Sequence, residues 1–277
     1  MLEPMNRIDR IFHDRRRAGQ RTLMPFVTAG DPDLASTEAL LPALEQAGAS
    51  VVELGIPFSD PIADGPVIEQ SMTRALNRGT TLSDVLAMVR SVRAKVELGL
   101  VAMVSYSIVY RYGLERFVGD ARAAGIDGLI FPDLPVDEAG PAQNAAAEAG
   151  LTLSLLIAPT TPIDRARAIA AASTGFVYVV ARAGTTGQQA ALPPELTDRL
   201  AELRAVTDLP LAVGFGISQP EHVRQVVREA DAAIVGSALV RQLEQHQDAD
   251  QASLVEAVSN LTRDLAGGLQ QAPAAQP

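Results

Sequence analysis

Eight short apolar runs, each followed by a longer amphipathic stretch, constrain this chain more than any other feature. The runs cover residues 23–30, 50–56, 98–104, 127–131, 152–158, 175–181, 210–216 and 232–238. They are rich in Val, Ile and Leu and lack strict polar alternation. Each therefore reads as a strand covered on both faces. Helical patterns follow near 34–47, 82–95, 113–124, 136–148, 163–172, 195–206 and 219–228, and again after the eighth run. Eight such alternations in 277 residues point to an α/β chain folded as one (β/α)8 TIM barrel. An open doubly wound sheet is the alternative. The domain is expected to span residues 1–266 with an N-terminal helix, "RIFHDRRRAGQR" being read as a solvated helix face. The tail 267–277, "GGLQQAPAAQP", lacks apolar periodicity and is expected to be disordered.

The balance of charge narrows the partners. A net charge of -10 argues against nucleic acid or an anionic membrane surface. Any phosphorylated ligand must then be held by local features. The chain has no cysteine, so neither a disulfide framework nor thiolate chemistry is available. No apolar signal core or membrane-length stretch stands out, and a cytoplasmic protein is expected.

In a barrel of this kind, functional groups gather at the C-terminal ends of the strands and in the loops that follow. The segment "VVELGIPFSDPIADGP", residues 51–66, places Glu53 inside an apolar run and Asp60 and Asp64 just beyond it. A buried carboxylate is costly unless paired, and burial raises its pKa toward values useful for proton transfer. A structural ion pair is the other reading of Glu53. Asp60 and Asp64, among prolines and a glycine, read equally as turn formers and as functional groups. The connection from Pro57 to about Asn77 reads as an unusually long loop, a common place for function.

Three glycine-bearing segments follow the last three runs: "AGTTG" (183–187), "GFGIS" (214–218) and "VGSAL" (235–239). Glycine lets backbone amides approach an anion, and a helix N-terminus adds a favourable dipole. Loops after the seventh and eighth strands recur as phosphate sites in barrels. Gly187, Gly216, Gly236 and Ser237 are the candidates. Tight turns alone would also use these glycines. Phe26 and Tyr178, near strand ends, read equally as pocket lining and as packing. Met103 reads as core.

Several chemistries are disfavoured. Lys95 is the only lysine and precedes the third run, at the far end of the barrel from the expected site. A Schiff base there is disfavoured. His13, His222 and His246 lack metal-ligand spacing. Neither a serine elbow nor a dinucleotide fingerprint is present. General acid/base catalysis on a small phosphorylated molecule, without metal, remains.

The blocks "PFVTAGDP" (25–32), "ELGIPFSDPIADGP" (53–66), "AGTTG", "GFGIS" and "VGSALV" occur in this order from about residue 5 to 266. In sequence and spacing they resemble the tryptophan synthase alpha subunit family. That resemblance implies a barrel that cleaves indole-3-glycerol phosphate to indole and glyceraldehyde 3-phosphate. It implies Glu53 as the acid/base glutamate and Asp64 as the partner of the indole N–H. Asp60 would help couple the site to a beta subunit. Phe26 and Tyr178 would line the pocket, and Thr186 would pack on Asp64 when the site closes. Gly187, Gly216, Gly236 and Ser237 would cradle the phosphate. It also implies an alpha2beta2 complex whose beta subunit carries pyridoxal phosphate, with no cofactor in this chain. There is one departure: Ser105 and Ser107 stand where the family usually has a Tyr-x-Asn pair. A stand-alone lyase and a non-catalytic activator subunit are the competing expectations.

Overall fold

The computed structural model describes residues 5–60, 65–181, 195–214 and 216–271. Its strands are β1 (Thr22–Thr28), β2 (Val51–Gly55), β3 (Gly99–Met103), β4 (Gly128–Ile130), β5 (Thr152–Ser154), β6 (Leu156–Ile157), β7 (Val177–Val180), β8 (Leu211–Gly214) and β9 (Ala232–Val235). They form one sheet in the order β5-β4-β3-β2-β1-β9-β8-β7-β6. β5 and β6 are halves of the single run expected at 152–158. Leu155 is the break between them: its amide donates to Ser173 Oγ at 3.2 Å, and its carbonyl accepts from Tyr178 N at 3.1 Å. The chain there switches partners from β4 to β7, and the sheet closes.

The register gives the size of the closure. Leu156 pairs through Tyr178, Ala212 and Ala232 to Thr22. Four residues further along β1, Phe26 pairs through Glu53, Val101 and Gly128 to Thr152. The path thus advances four residues on β1 and returns four short of Leu156, a stagger of eight. That is the shear of a (β/α)8 barrel, and it excludes the open sheet.

Two apolar cores follow from the alternation of side chains along each strand. The outer core packs helices on the barrel, with Leu23, Val27, Val52, Leu54 and Leu100 from the strands. The inner core holds Met24, Phe26, Val51, Val101, Ile130 and Tyr178. Glu53 has the parity of Val51, so it faces the barrel interior.

Helix α1 (Arg7–Arg17) closes the N-terminal end. Asn6 caps it by accepting from Ile8 N, and Ile8 and Phe12 join the inner core. Gly99 lets Ile8 approach β3, because a Cβ there would collide with the Ile8 side chain. The segment expected to be a solvated face is thus a plug, with Arg16 and Arg7 ion-paired to Asp231 and Asp127.

Other differences from the sequence reading concern short elements. The loop expected from residue 57 to about 77 is much shorter, because helix α3 (Pro66–Asn77) occupies most of it. Pro66 suits a first helical turn, and Ile68, Met72 and Ala75 recur on one buried face. Helix α2 (Leu34–Gln46) precedes β2, and α4 (Leu82–Val92) precedes β3. A further short helix, α5 (Tyr106–Tyr112), follows β3 and was not expected. Helices α6 (Leu114–Ala124), α7 (Gly140–Glu148), α8 (Ile163–Ala172), α9 (Leu196–Arg204), α10 (Pro220–Val226), α11 (Ser237–Gln245) and α12 (Gln251–Ala266) complete the ring. Part of the supposed tail is also ordered. Gly267–Gln271 forms a 3-10 turn, Leu269 packs on the outer core, and Gly268 lies too close to the Pro220 carbonyl oxygen for any side chain. Residues 272–277 lie outside the described residues.

Candidate active site

Glu53 is fully buried in β2, paired in register with Phe26 on one side and Val101 on the other. Phe26 leans over the end of β2: a Cβ on Gly55 would lie 2.5 Å from Phe26 Cζ. Glycine at 55 therefore makes room for the ring. The same ring lies beside Gly236, where a Cβ would sit 3.5 Å from Phe26 Cβ. Phe26 thus bridges the region of Glu53 and the start of α11. On the opposite wall, Tyr178 projects from β7 so that a Cβ on Gly214 would be 2.5 Å from its hydroxyl. Both aromatics are buried in the inner core, and Met103 lies there with them.

Gly216 and Gly236 follow the adjacent strands β8 and β9. Gly216 has φ +86, a backbone conformation that favours glycine, and a Cβ there would meet nothing within 4 Å among the described residues. Gly236 is the N-cap of α11 and Ser237 its first residue. The opening amides of a helix have no partner within it, which suits an anion. Asp60 is exposed at the edge of the loop, its Oδ2 accepting from Ser59 Oγ at 2.7 Å. Asp64, Thr186 and Gly187 lie outside the described residues.

The two serines of the departure have defined work. Ser105 caps α5, its hydroxyl donating to Asp133 Oδ2 at 2.6 Å and lying 2.8 Å from Ser107 Oγ. Asp133 also accepts from Tyr106 N at 2.7 Å. The segment after β3 is thus fastened to the loop after β4. Lys95 is exposed and pairs with Glu38 at 3.0 Å, before β3. His13 and His246 bond locally, to Asp14 and the Gln242 carbonyl, and His222 is buried in α10. Among the described residues, no group of acidic and histidine side chains forms a metal site.

A buried inward carboxylate, two aromatic walls and a helix start at one end of a barrel set the terms for comparison. The family model for the tryptophan synthase alpha chain matches residues 12–269. The chain belongs to the tryptophan synthase alpha chain family. It is 49% identical over 250 residues to the alpha chain of Chloroflexus aurantiacus, covering 90% of this chain and 94% of that one. It is 48% identical over 240 residues to that of Synechocystis, covering 86% and 91%. The solved alpha subunit from Legionella pneumophila superposes with a TM-score of 0.87 at 36% identity, covering 96% of this chain and 99% of that one. A structure of Mycobacterium tuberculosis tryptophan synthase gives 0.87 at 34% identity, covering 96% and 99%. The role of the tryptophan synthase alpha family is cleavage of indole-3-glycerol phosphate in tryptophan biosynthesis, and this chain is a carbon–carbon lyase of that family.

Neither Arg74 nor Asp31 was singled out from sequence, yet they form a bidentate pair beside the site, Nε–Oδ1 and Nη2–Oδ2 both 2.9 Å. The spacing of α3 could have placed Arg74 on a helix. Nothing in the sequence names its partner 43 residues away.

Proposed function

We propose that this tryptophan synthase alpha chain performs the cleavage as a retro-aldol reaction run by its own carboxylates. Protonation of indole C3 turns the ring into an electron sink, so neither a lysine nor a metal is needed. Glu53 delivers that proton and later removes one from the glycerol hydroxyl, a two-way role suited to a buried carboxylate. Asp64 meets the indole N–H and stabilises the positive charge that develops there. Phe26 and Tyr178 flank the ring, while Gly187, Gly216, Gly236 and Ser237 hold the phosphate and Thr186 closes over Asp64. Asp60 passes closure on to a partner. The observation that carries this reading is Glu53 itself, fully buried, facing inward, with Phe26 beside it.

The partner is a beta subunit that carries pyridoxal phosphate, in an alpha2beta2 complex in the cytoplasm. When bound there, pyridoxal phosphate supplies the electron sink for joining indole to serine. The one lysine of this chain, Lys95, is exposed beside Glu38 and precedes β3, at the end of the barrel away from the site. The Ser105–Ser107–Asp133 network favours one second reading, a lyase that works without the partner. Indole release by the purified chain, with and without a beta subunit, separates the two. Slow release accelerated by the partner is expected. Fast release that the partner does not change would replace the subunit reading with the stand-alone one, and no indole at all would overturn both.

A further inference from the structure

Three elements that carry the proposed site converge on one side chain. α3 begins two residues beyond Asp64, α11 begins at Ser237 beside Gly236, and β1 carries Phe26. Arg74 of α3 grips Asp31 after β1 with both arms of its fork, and its third nitrogen, Nη1, reaches Glu244 Oε1 of α11 at 3.1 Å. Asp31 is 1% exposed, Arg74 partly buried, and Glu244 at the rim. Burial pushes the Asp31 carboxyl up from the usual range, and its hydrogen bonds to Arg74 work against that push. A fork this well formed is geometrically specific in a way a single ammonium is not.

A second tie runs alongside. The Ser71 hydroxyl donates to the Ile68 carbonyl at 2.7 Å, so the Thr28 hydroxyl donates to Ser71 Oγ at 2.6 Å, and both residues are fully buried. This bond fixes α3 to β1 alone. Among the described residues, Arg74 is the side chain of α3 that bonds both β1's end and α11. Its Nε, Nη1 and Nη2 each donate to a protein carboxylate, so the role argued for it is positional.

We propose that Arg74 is a positioning residue that fixes the spacing between α3 and the phosphate end of the site at α11. The inference rests on the functional reading above, in which the substrate spans those two ends. Binding of a molecule held at two points depends on their separation, whereas a fragment held at one point is indifferent to it. Loss of the Arg74 bridge should therefore penalise the whole substrate and spare its pieces.

The test compares the wild type with Glu244→Ala, which cuts only the α3–α11 bond, and with Asp31→Asn/Arg74→Gln. The double variant avoids leaving a buried charge unpaired. Measured in the complex with a beta subunit, well below each Tm, are kcat/KM for indole-3-glycerol phosphate and the inhibition constants of inorganic phosphate and of indole. The expected result is a fall in kcat/KM of about tenfold for the double variant and about threefold for Glu244→Ala, with both fragment constants within twofold of wild type. Arg74→Lys should recover less than half of the loss, because a point charge cannot hold both carboxylates in the fork geometry. A kcat/KM within twofold of wild type in both variants would overturn the proposal. So would fragment constants that rise in step with it, as general damage to the site would produce. If inorganic phosphate does not compete even in the wild type, the phosphate assignment fails first and takes this inference with it.

Discussion

The buried carboxylates at the N-terminal end of the barrel are placed differently from Glu53. Asp127 and Asp231 each sit one residue before a strand, at the N-terminal end. Asp231 Oδ2 accepts from Leu211 N at 2.8 Å and Arg204 at 2.6 Å, while Arg16 grips both oxygens at 2.8 and 2.9 Å. Asp127 repeats the scheme with Leu100 N at 3.0 Å and Arg93 at 3.1 Å. Glu53 lies instead within β2, and its register neighbours are Phe26 and Val101, both apolar. The lower carboxylates are struts bonded from several sides; burial pushes the Asp127 carboxyl above its ordinary range, whereas Asp231 lies below it. Glu53 stands where proton transfer is useful. Removing a strut should cost the fold and spare the chemistry per folded molecule, and removing Glu53 should do the reverse.

The largest effect on stability is expected from the plug. Phe12 is 2% exposed, its ring 5.7 Å from that of Phe176. Phe12→Ala should destabilise by about 3–5 kcal/mol, the cost of emptying a large aromatic site. Denaturant unfolding measures this, and specific activity corrected for folded fraction should stay near wild type. An activity loss exceeding the loss of folded protein would blur the division between the ends.

A smaller effect is expected at the struts. Asp231→Asn leaves Arg16 and Arg204 without their carboxylate, but both reach water, so the cost should be about 3 kcal/mol, the low end for breaking a buried pair. The effect carries a pH signature. Burial opposes ionisation of Asp231, yet its Arg16 hydrogen bond, the Arg204 and Arg16 charges and the Leu211 amide outweigh it and hold the carboxyl below its ordinary 3.8. The folded value lies below the unfolded one. The stabilisation is therefore fully present above the ordinary value and is lost as pH falls through the lower folded value. Wild-type stability should drop in that acid window, and the drop should be shallower in Asp231→Asn. Parallel curves would remove Asp231 from the struts.

The same contrast explains what could be read from the sequence. The eight apolar runs mark their strands because double burial leaves no polar alternation to confuse them. Glu53 stands out for the same reason, as a charge in the middle of such a run, whereas Asp127 only opens its own. α3 was hidden because the prolines and aspartates ahead of it look like a continuing loop, although Ile68, Met72 and Ala75 carry a helical period. The plug was hidden because "RIDRIFHDRRR" is mostly charge, and only Ile8, Ile11 and Phe12 pack on the inner core. Struts such as Arg16–Asp231 join residues 215 apart. No local pattern encodes such pairs. They exist only once the barrel has closed.

The most direct test of the account is Glu53→Gln, assayed for indole release and for Tm on the same preparation. The account predicts a rate loss of about 10²–10⁴-fold, the usual worth of a positioned acid or base, with Tm close to that of the wild type. Indole release close to wild type would contradict it and return Glu53 to the company of Asp231.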